Sequence, residues 1–270
     1  MYIRHNITAL NTVRQLGSAN KNVDKHTEKL ATSLRINRAS DDVAGLSISE
    51  KLRAQISGLD KAAKNTQDSI SLLQTAEGAL SEVNDMIIRG RELAVQAAND
   101  TNTESDRKQL QNEYEQLLNE IDRVGTDTEF NTLKLFDGST KSISLQLGAN
   151  EKQGQDILLE EVSVEKLNLL NTALTPCEKA TAVIKKLDEA AESVSSQRAK
   201  LGAYQNGFTH NISNLRQTGE NLQSADSVIR DANVATEVMK LTKNEVLQET
   251  MQSALSHSNV KNDWVLNLLN

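Results

Sequence analysis

The chain has 270 residues, a formal net charge of −7, and 37% hydrophobic and 3% aromatic residues, whereas an ordinary globular domain is about 45–50% apolar. Its acidity excludes the broad basic surface that binds nucleic acid or anionic lipid, and no run reaches the roughly 18 apolar residues that span a bilayer. The first twenty residues also lack the apolar core of a cleaved signal peptide, so these bulk features alone predict an elongated cytosolic protein.

Apolar residues recur at seven-residue spacing through most of the chain, which is the pattern of helices that pack along a narrow seam. One proline and twelve glycines leave few points where a helix must break. A shorter helical run follows a polar break at residues 99–103. The long repeats pass through Ala9, Leu16, Val23 and Leu30, then Leu52, Leu59, Thr66, Leu73, Leu80, Ile87 and Ala94, and later Leu187, Val194, Leu201, Phe208, Leu215, Leu222 and Ile229.

The helical spacing is interrupted near residues 139–160, where polar and apolar residues alternate. Ser142, Ser144 and Gln146 alternate with apolar neighbours, and residues 148–150 supply a turn. Strict alternation predicts strands, so this segment is predicted to form a β-hairpin and is the one strand candidate in the chain.

The predicted fold class is therefore mainly α, an elongated antiparallel helical bundle or coiled coil with one small β-hairpin. Residues 1–40 and 232–270 are predicted to pair as terminal helices, and residues 41–231 to form a rod. One helix pair cannot cover an apolar stripe on each of its members, so the terminal helices are expected to bind further copies of the chain. The predicted assembly seam consists of Leu10, Leu16, Val23, Leu30, Val238, Leu241, Leu255, Leu266 and Leu269.

A polar connector separates the first helix from the second. We expect Ser40 to be the N-cap of the second helix, with Asp41 and Asp42 in its first turn opposing the helix dipole, so that the helix begins near Val43. The small Gly45 is expected to permit close approach of another chain. The connector residues are Asn37, Ser40, Asp41, Asp42 and Gly45.

The residues give no sign of an active site. The four histidines have no second ligand at a metal-binding offset and are expected at the surface, so neither a metal nor a cofactor is predicted. There is no nucleotide-binding glycine loop and no nucleophile elbow, and an enzyme is not expected. Cys177 is the single cysteine, which excludes an intramolecular disulfide.

Sequence blocks in both halves resemble one family. Residues 30–80 read LATSLRINRASDDVAGLSISEKLRAQISGLDKAAKNTQDSISLLQTAEGAL, and RELAVQAAND, NEIDRV and TEFNTLKLFDG follow in order. The second half contains LQLGAN, SQRAKLGAYQN, NLQSADSVIRDANVATEV and VLNLL. In order and spacing these blocks are similar to those of the bacterial flagellins over nearly the whole chain. The short stretch from Asp137 to Cys177 indicates a minimal member without large outer domains.

The resemblance implies a structural subunit that self-assembles into the helical filament of the bacterial flagellum, which serves motility. Flagellins are exported without a cleaved signal peptide, so the resemblance replaces the cytosolic expectation with an extracellular filament, a periplasmic filament being the alternative. It implies an export chaperone at about residues 234–270, and contacts with hook-junction and cap proteins. It also implies a patch for a Toll-like innate immune receptor at Arg89, Leu93 and Glu113.

Two other functions fit part of the pattern. A hook–filament junction protein shares the paired terminal helices but forms a short ring. A cytosolic coiled-coil scaffold fits the heptad repeats alone.

Overall fold

The computed structural model describes residues 6–139 and 142–269, with the side chains of all of these except 177, 261–263 and 265–269. The predicted class is confirmed, because long helices dominate and a small hairpin interrupts them. The elements are α1 (Ile7–Thr32), α2 (Val43–Ala97), α3 (Glu104–Asp127), β1 (Glu129–Phe130), β2 (Leu133–Lys134), β3 (Ser142–Gln146), β4 (Gly154–Leu158), α4 (Cys177–Arg230) and α5 (Val234–Leu269).

The chain divides into two compact units. The terminal unit comprises Met1–Ile56 and Glu220–Asn270, and the central unit comprises Ser57–Gly219. The division falls within α2 and within α4, whereas the predicted borders at residues 40/41 and 231/232 fall at the ends of helices. That the borders at 40/41 and 231/232 separate an inner layer of the assembly from an outer one stays a prediction.

The core of the central unit is built on the heptad positions of α2 and α4. Leu73, Leu80 and Val194 are completely buried, and they belong to one continuous apolar cluster. Full burial of such a side chain contributes roughly 1.5–3 kcal/mol each. The buried repeat positions are Leu59, Thr66, Leu73, Leu80, Ile87 and Ala94 on α2, and Leu187, Val194, Leu201, Phe208 and Leu215 on α4.

Helix α3 begins after the polar break at 99–103. The Thr103 hydroxyl accepts a hydrogen bond from the Asp106 backbone N–H, and the Asp106 carboxylate accepts one from the Thr103 backbone N–H, which forms a capping box. Hydrogen bonds from the Thr103 side chain and backbone hold the pKa of Asp106 below its usual value. Tyr114 and Ile121 place α3 in the core cluster.

The predicted hairpin is present as β3 and β4, which pair antiparallel from Ser142↔Leu158 to Gln146↔Gly154. A second, shorter hairpin, β1 and β2, was not predicted. Its two turn residues, Asn131 and Thr132, have φ angles of +50° and +68°, which glycine adopts more readily than threonine. Threonine stands at position 132 in place of the glycine of the usual Asn-Gly turn, so the turn carries no clear sequence signal.

An irregular segment, residues 159–176, closes the core between β4 and α4, and we call it the strap. Its backbone is fixed to α3, because the Val164 N–H donates to Asp122 at 2.7 Å and the Leu174 N–H donates to Gln111 at 2.6 Å. Burial raises the pKa of the Tyr114 phenol, which shares a 2.8 Å hydrogen bond with the hydroxyl of Thr172 on the strap. The buried apolar residues of the strap are Leu159, Val162, Val164, Leu167, Leu169 and Leu174.

Gly125 is the point of closest approach between α3 and the strap. A Cβ at this position would lie 1.9 Å from the carbonyl oxygen of Val162. We expect Gly125→Ala to lower the free energy of unfolding of the central unit by about 1–3 kcal/mol, because backbone must move to relieve the overlap. Urea unfolding of the disassembled protein, followed by circular dichroism, measures this.

The matched control is Gly78→Ala on α2, where an added Cβ meets nothing within 4 Å. Alanine favours the helix there by about 1 kcal/mol, so this variant should be slightly more stable than the parent. Equal effects of the two substitutions would contradict the close approach of the strap at Gly125.

Candidate assembly interface

In the terminal unit, α1 packs against α5, and polar contacts near both ends of the pair show that the helices are antiparallel. At one end, Asn6 Nδ2 donates to the Ser258 carbonyl at 3.2 Å and to its hydroxyl at 3.0 Å. Asn6 Oδ1 accepts from the Ala9 N–H at 3.0 Å, so the residue that caps α1 also binds α5. We call α1 and α5 together the terminal pair.

At the other end of the terminal pair, His26 Nδ1 lies 2.5 Å from Glu237 Oε2. The two side chains are 17% and 8% exposed, and Lys240 Nζ approaches the other oxygen of Glu237 at 2.9 Å. Burial alone would raise the pKa of Glu237, but hydrogen bonds from Lys240 and His26 bring it below its usual value.

The expectation that all four histidines lie at the surface is therefore wrong for His26. His210 and His257 are exposed as expected, and His5 lies outside the described residues. The contact with Glu237 joins residues 211 positions apart, so no local spacing in the sequence could indicate it.

Large apolar side chains stay exposed on both helices of the terminal pair. Among the described residues of α1, only Ala19 is buried. Grooves of about 590 Å³ and 460 Å³ lie along the start of α1 and along α5. The exposed apolar residues are Ile7, Leu10 and Val13 on α1, and Val234, Val238, Met239, Val246, Leu247, Val260 and Trp264 on α5.

The predicted seam residues are thus only partly covered within one chain. Leu10 is 63% exposed and Val238 is 45% exposed, and the side chains of Leu266 and Leu269 lie outside those described. That these residues contact neighbouring copies of the chain stays a prediction. The half-buried members of the seam are Leu16, Val23, Leu30, Leu241 and Leu255.

The connector starts α2 with a different cap from the predicted one. Asp42 is the N-cap, because its Oδ1 accepts from the Gly45 N–H at 2.9 Å and its carbonyl accepts from Leu46. The assignment of Ser40 as the cap was wrong: Ser40 is exposed in the preceding turn. Both residue types cap helices well, so the sequence could not decide between them.

Asp41 also has another role than the predicted one. It lies outside the first turn of α2, and its carboxylate pairs with Lys25 at 3.0 Å and accepts from the backbone N–H groups of Asn37 and Arg38. The hydrogen bond from Lys25 is the largest influence on this carboxyl. Despite the opposing effect of burial, that bond and the two backbone bonds lower the pKa of Asp41.

Gly45 does permit a close approach, but within the same chain. A Cβ there would lie 2.7 Å from Ile36 Cδ1, and Ile36 is almost fully buried. The connector is also bound to the turn between α4 and α5. The Arg35 N–H donates to the Arg230 carbonyl at 2.7 Å, and the Ala232 N–H donates to the Ser33 carbonyl at 3.0 Å.

Two of the three residues of the predicted receptor patch lie together at the surface, and as a receptor site the patch stays a prediction. Arg89 donates from Nε and Nη2 to Glu113 Oε1 at 3.0 and 2.8 Å, and both side chains are exposed. Leu93, one turn along α2 from Arg89, is not exposed with them, because its side chain is buried in the core of the central unit. An added Cβ at Gly90 would lie 3.3 Å from the Tyr114 ring, so this ring of α3 packs closely against α2.

The described residues include no group of three or more His, Cys, Asp or Glu side chains placed to hold a metal ion. None of the helices in the described ranges has an apolar stretch long enough to cross a bilayer.

The chain matches two family models. Residues 3–141 match the bacterial flagellin N-terminal helical region, and residues 184–269 match the C-terminal helical region. It is 46% identical to a flagellin of Halalkalibacterium halodurans over 274 aligned positions that cover all of both chains.

Solved structures give the same result. The structure resembles Bacillus cereus flagellin, at 35% identity and a TM-score of 0.51, over 56% of this chain and 88% of that one. It also resembles a putative flagellar hook-associated protein of Vibrio parahaemolyticus over 70% of this chain and 99% of that one, with a TM-score of 0.61. At 13% identity, that likeness shows the fold alone.

The chain is similar to a flagellin over its full length and matches both flagellin family models. These matches exclude a cytosolic coiled-coil scaffold, and they favour a filament subunit over a hook–filament junction protein. An exposed apolar terminal pair is what a subunit needs in order to bind its own copies. The chain belongs to the bacterial flagellins and is a structural subunit of the flagellar filament rather than an enzyme.

Proposed function

We propose that the terminal pair forms the inner seam of the filament and that neighbouring copies cover its exposed apolar faces. The observation that carries this proposal is the set of exposed apolar residues on α1 and α5, which includes Leu10 and Val238. A single-layer pair of helices with so little buried surface is marginal alone in water, and association supplies the missing burial.

The same face offers a surface that an export chaperone could cover before assembly. The groove on α5, between Val238 and Leu247, is apolar and open in the single chain. A dedicated export chaperone that covers this groove would prevent premature association of newly made copies. Hook-junction and cap proteins would contact the terminal pair at the two ends of the filament, where one side of the seam has no neighbouring copy.

The receptor proposal is narrower than the family resemblance implies. Arg89 and Glu113 form an exposed ion pair that a Toll-like innate immune receptor could contact, whereas Leu93 supports the core beneath them. We therefore expect Arg89→Ala and Glu113→Ala to weaken receptor binding directly. Leu93→Ala should weaken it only by destabilising the central unit.

The proposed location of the filament is outside the cell. Shearing of intact cells should release the protein into the supernatant as filaments visible by electron microscopy. Retention on intact cells, with release only after the outer membrane is removed, would instead favour a periplasmic filament.

Leu10 gives the sharpest test of the seam. We expect Leu10→Asp to raise the critical concentration for filament growth on seeds by at least tenfold, because burial of one leucine contributes about 1.5–3 kcal/mol. Leu10→Met, which stays apolar, should assemble almost as well as the parent. Unchanged growth of the Leu10→Asp protein would contradict the proposed seam.

A deletion tests the end of α5. Removal of residues 260–270 takes away Val260 and Trp264, both exposed, and should leave a soluble monomer under conditions that polymerise the full chain. Sedimentation and electron microscopy report the outcome. Filaments that form as readily from the truncated chain would show that the end of α5 is not part of the seam.

Val246 tests the chaperone proposal. It is 55% exposed in the α5 groove, so Val246→Asp should weaken capture by the cognate export chaperone at least tenfold in calorimetry. Val246→Ile serves as the matched control and should bind normally. Tight binding of the chaperone to a chain that ends at residue 233 would contradict the proposal.

A further inference from the structure

We propose that His26 and Glu237 form a pH-sensitive clasp that holds α1 to α5 in the terminal pair. The inference rests on the proposed role of that pair in assembly. It adds a chemical control on assembly that the apolar faces by themselves do not provide.

The geometry makes this contact the strongest polar link between the two helices. The imidazole and the carboxylate are 2.5 Å apart and largely shielded from water, whereas the Asn6–Ser258 contacts at the other end are neutral and lie at 3.0–3.2 Å. A hydrogen bond between opposite charges is about twice as strong as a neutral one, and shielding increases the difference.

The contact between His26 and Glu237 joins two ionisable side chains, so its strength depends on their charges. Histidine is the side chain that ordinarily changes charge between about pH 5 and 8, and a protonated imidazole makes a stronger, charge-assisted hydrogen bond to a carboxylate than a neutral one. When the imidazolium loses a proton, a neutral imidazole can still donate from Nδ1 to the carboxylate. The rise in pH therefore weakens the clasp without abolishing it.

The acid limit of the clasp is set by Glu237. The lowered pKa of Glu237 means that its carboxylate stays ionised to a lower pH than that of an ordinary glutamate. A depressed carboxyl pKa contributes stability that is present above the unfolded pKa and is lost as the pH falls through the folded value. The clasp is thus strongest between these limits, in mildly acidic solution.

Other charged groups surround the pair. On α5, Lys240 pairs with the carboxylate of Glu237. On α1, the charged residues within three positions of His26 are Asp24, Lys25, Glu28 and Lys29; of these, Lys25 pairs with Asp41 and Glu28 pairs with Arg38.

Seeded growth of the full-length protein tests the clasp. We expect His26→Gln to raise the critical concentration about fivefold relative to the parent at about pH 6, and by less than twofold at about pH 8.5. His26→Lys keeps a positive charge at both values. It should remove most of the pH dependence that the parent shows between them.

His210→Gln is the matched control, because His210 is exposed on α4 and belongs to the central unit. Its pH profile should match that of the parent. The clasp is refuted if His26→Gln is impaired equally at both pH values, or if His26→Lys keeps the pH dependence of the parent.

The assay also separates the two proposals. Unimpaired growth of the Leu10→Asp protein would refute the seam itself. Equal impairment of His26→Gln at both pH values, or a His26→Lys protein that keeps the pH dependence of the parent, with Leu10→Asp still impaired, would refute the clasp alone.

Discussion

The terminal pair cannot cover its own apolar surface, and the proposed assembly follows from this constraint. Two helices in contact bury one face of each, and here even that shared face is thin, with Ala19 the one buried residue among those described on α1. The remaining stripes, from Ile7 to Val13 and from Val234 to Leu247, face water in a single chain. In a filament, neighbouring copies can bury these stripes. This burial, which the monomer lacks, stabilises the polymer.

The central unit, by contrast, buries its apolar residues within a single chain. Its heptad positions on α2 and α4 share one buried cluster with α3, the β3–β4 hairpin and the strap. The strap brings its own apolar residues and ties its backbone to Gln111, Tyr114 and Asp122 of α3. A short chain therefore completes its core without a large outer domain, while the apolar stripes of the terminal pair stay exposed in a single chain.

Periodicity predicted the features that repeat, and missed those that depend on single contacts. The seven-residue repeat from Leu59 to Ala94 identified buried positions correctly, because burial on a helix follows its geometry. The cap of α2 was assigned to Ser40 instead of Asp42, since neighbouring residues had similar capping preferences. The strap was not predicted, because its buried residues follow neither helical nor strand spacing.

The terminal pair shows the same limit. Its apolar stripes could be predicted from spacing, but the contact of His26 with Glu237 arises only when the two ends of the chain meet. Leu93 shows the converse, because the family resemblance placed it in a surface patch and the helix geometry places it in the core.

Amide hydrogen exchange in dilute monomer and in filaments measures the central claim most directly. The account predicts rapid exchange throughout α1 and α5 in the monomer, strong protection of the same amides in the filament, and protected amides in the core of the central unit in both states. Strong protection of α1 and α5 in a dilute monomer would contradict it, since those helices would then be stable without any neighbouring copy.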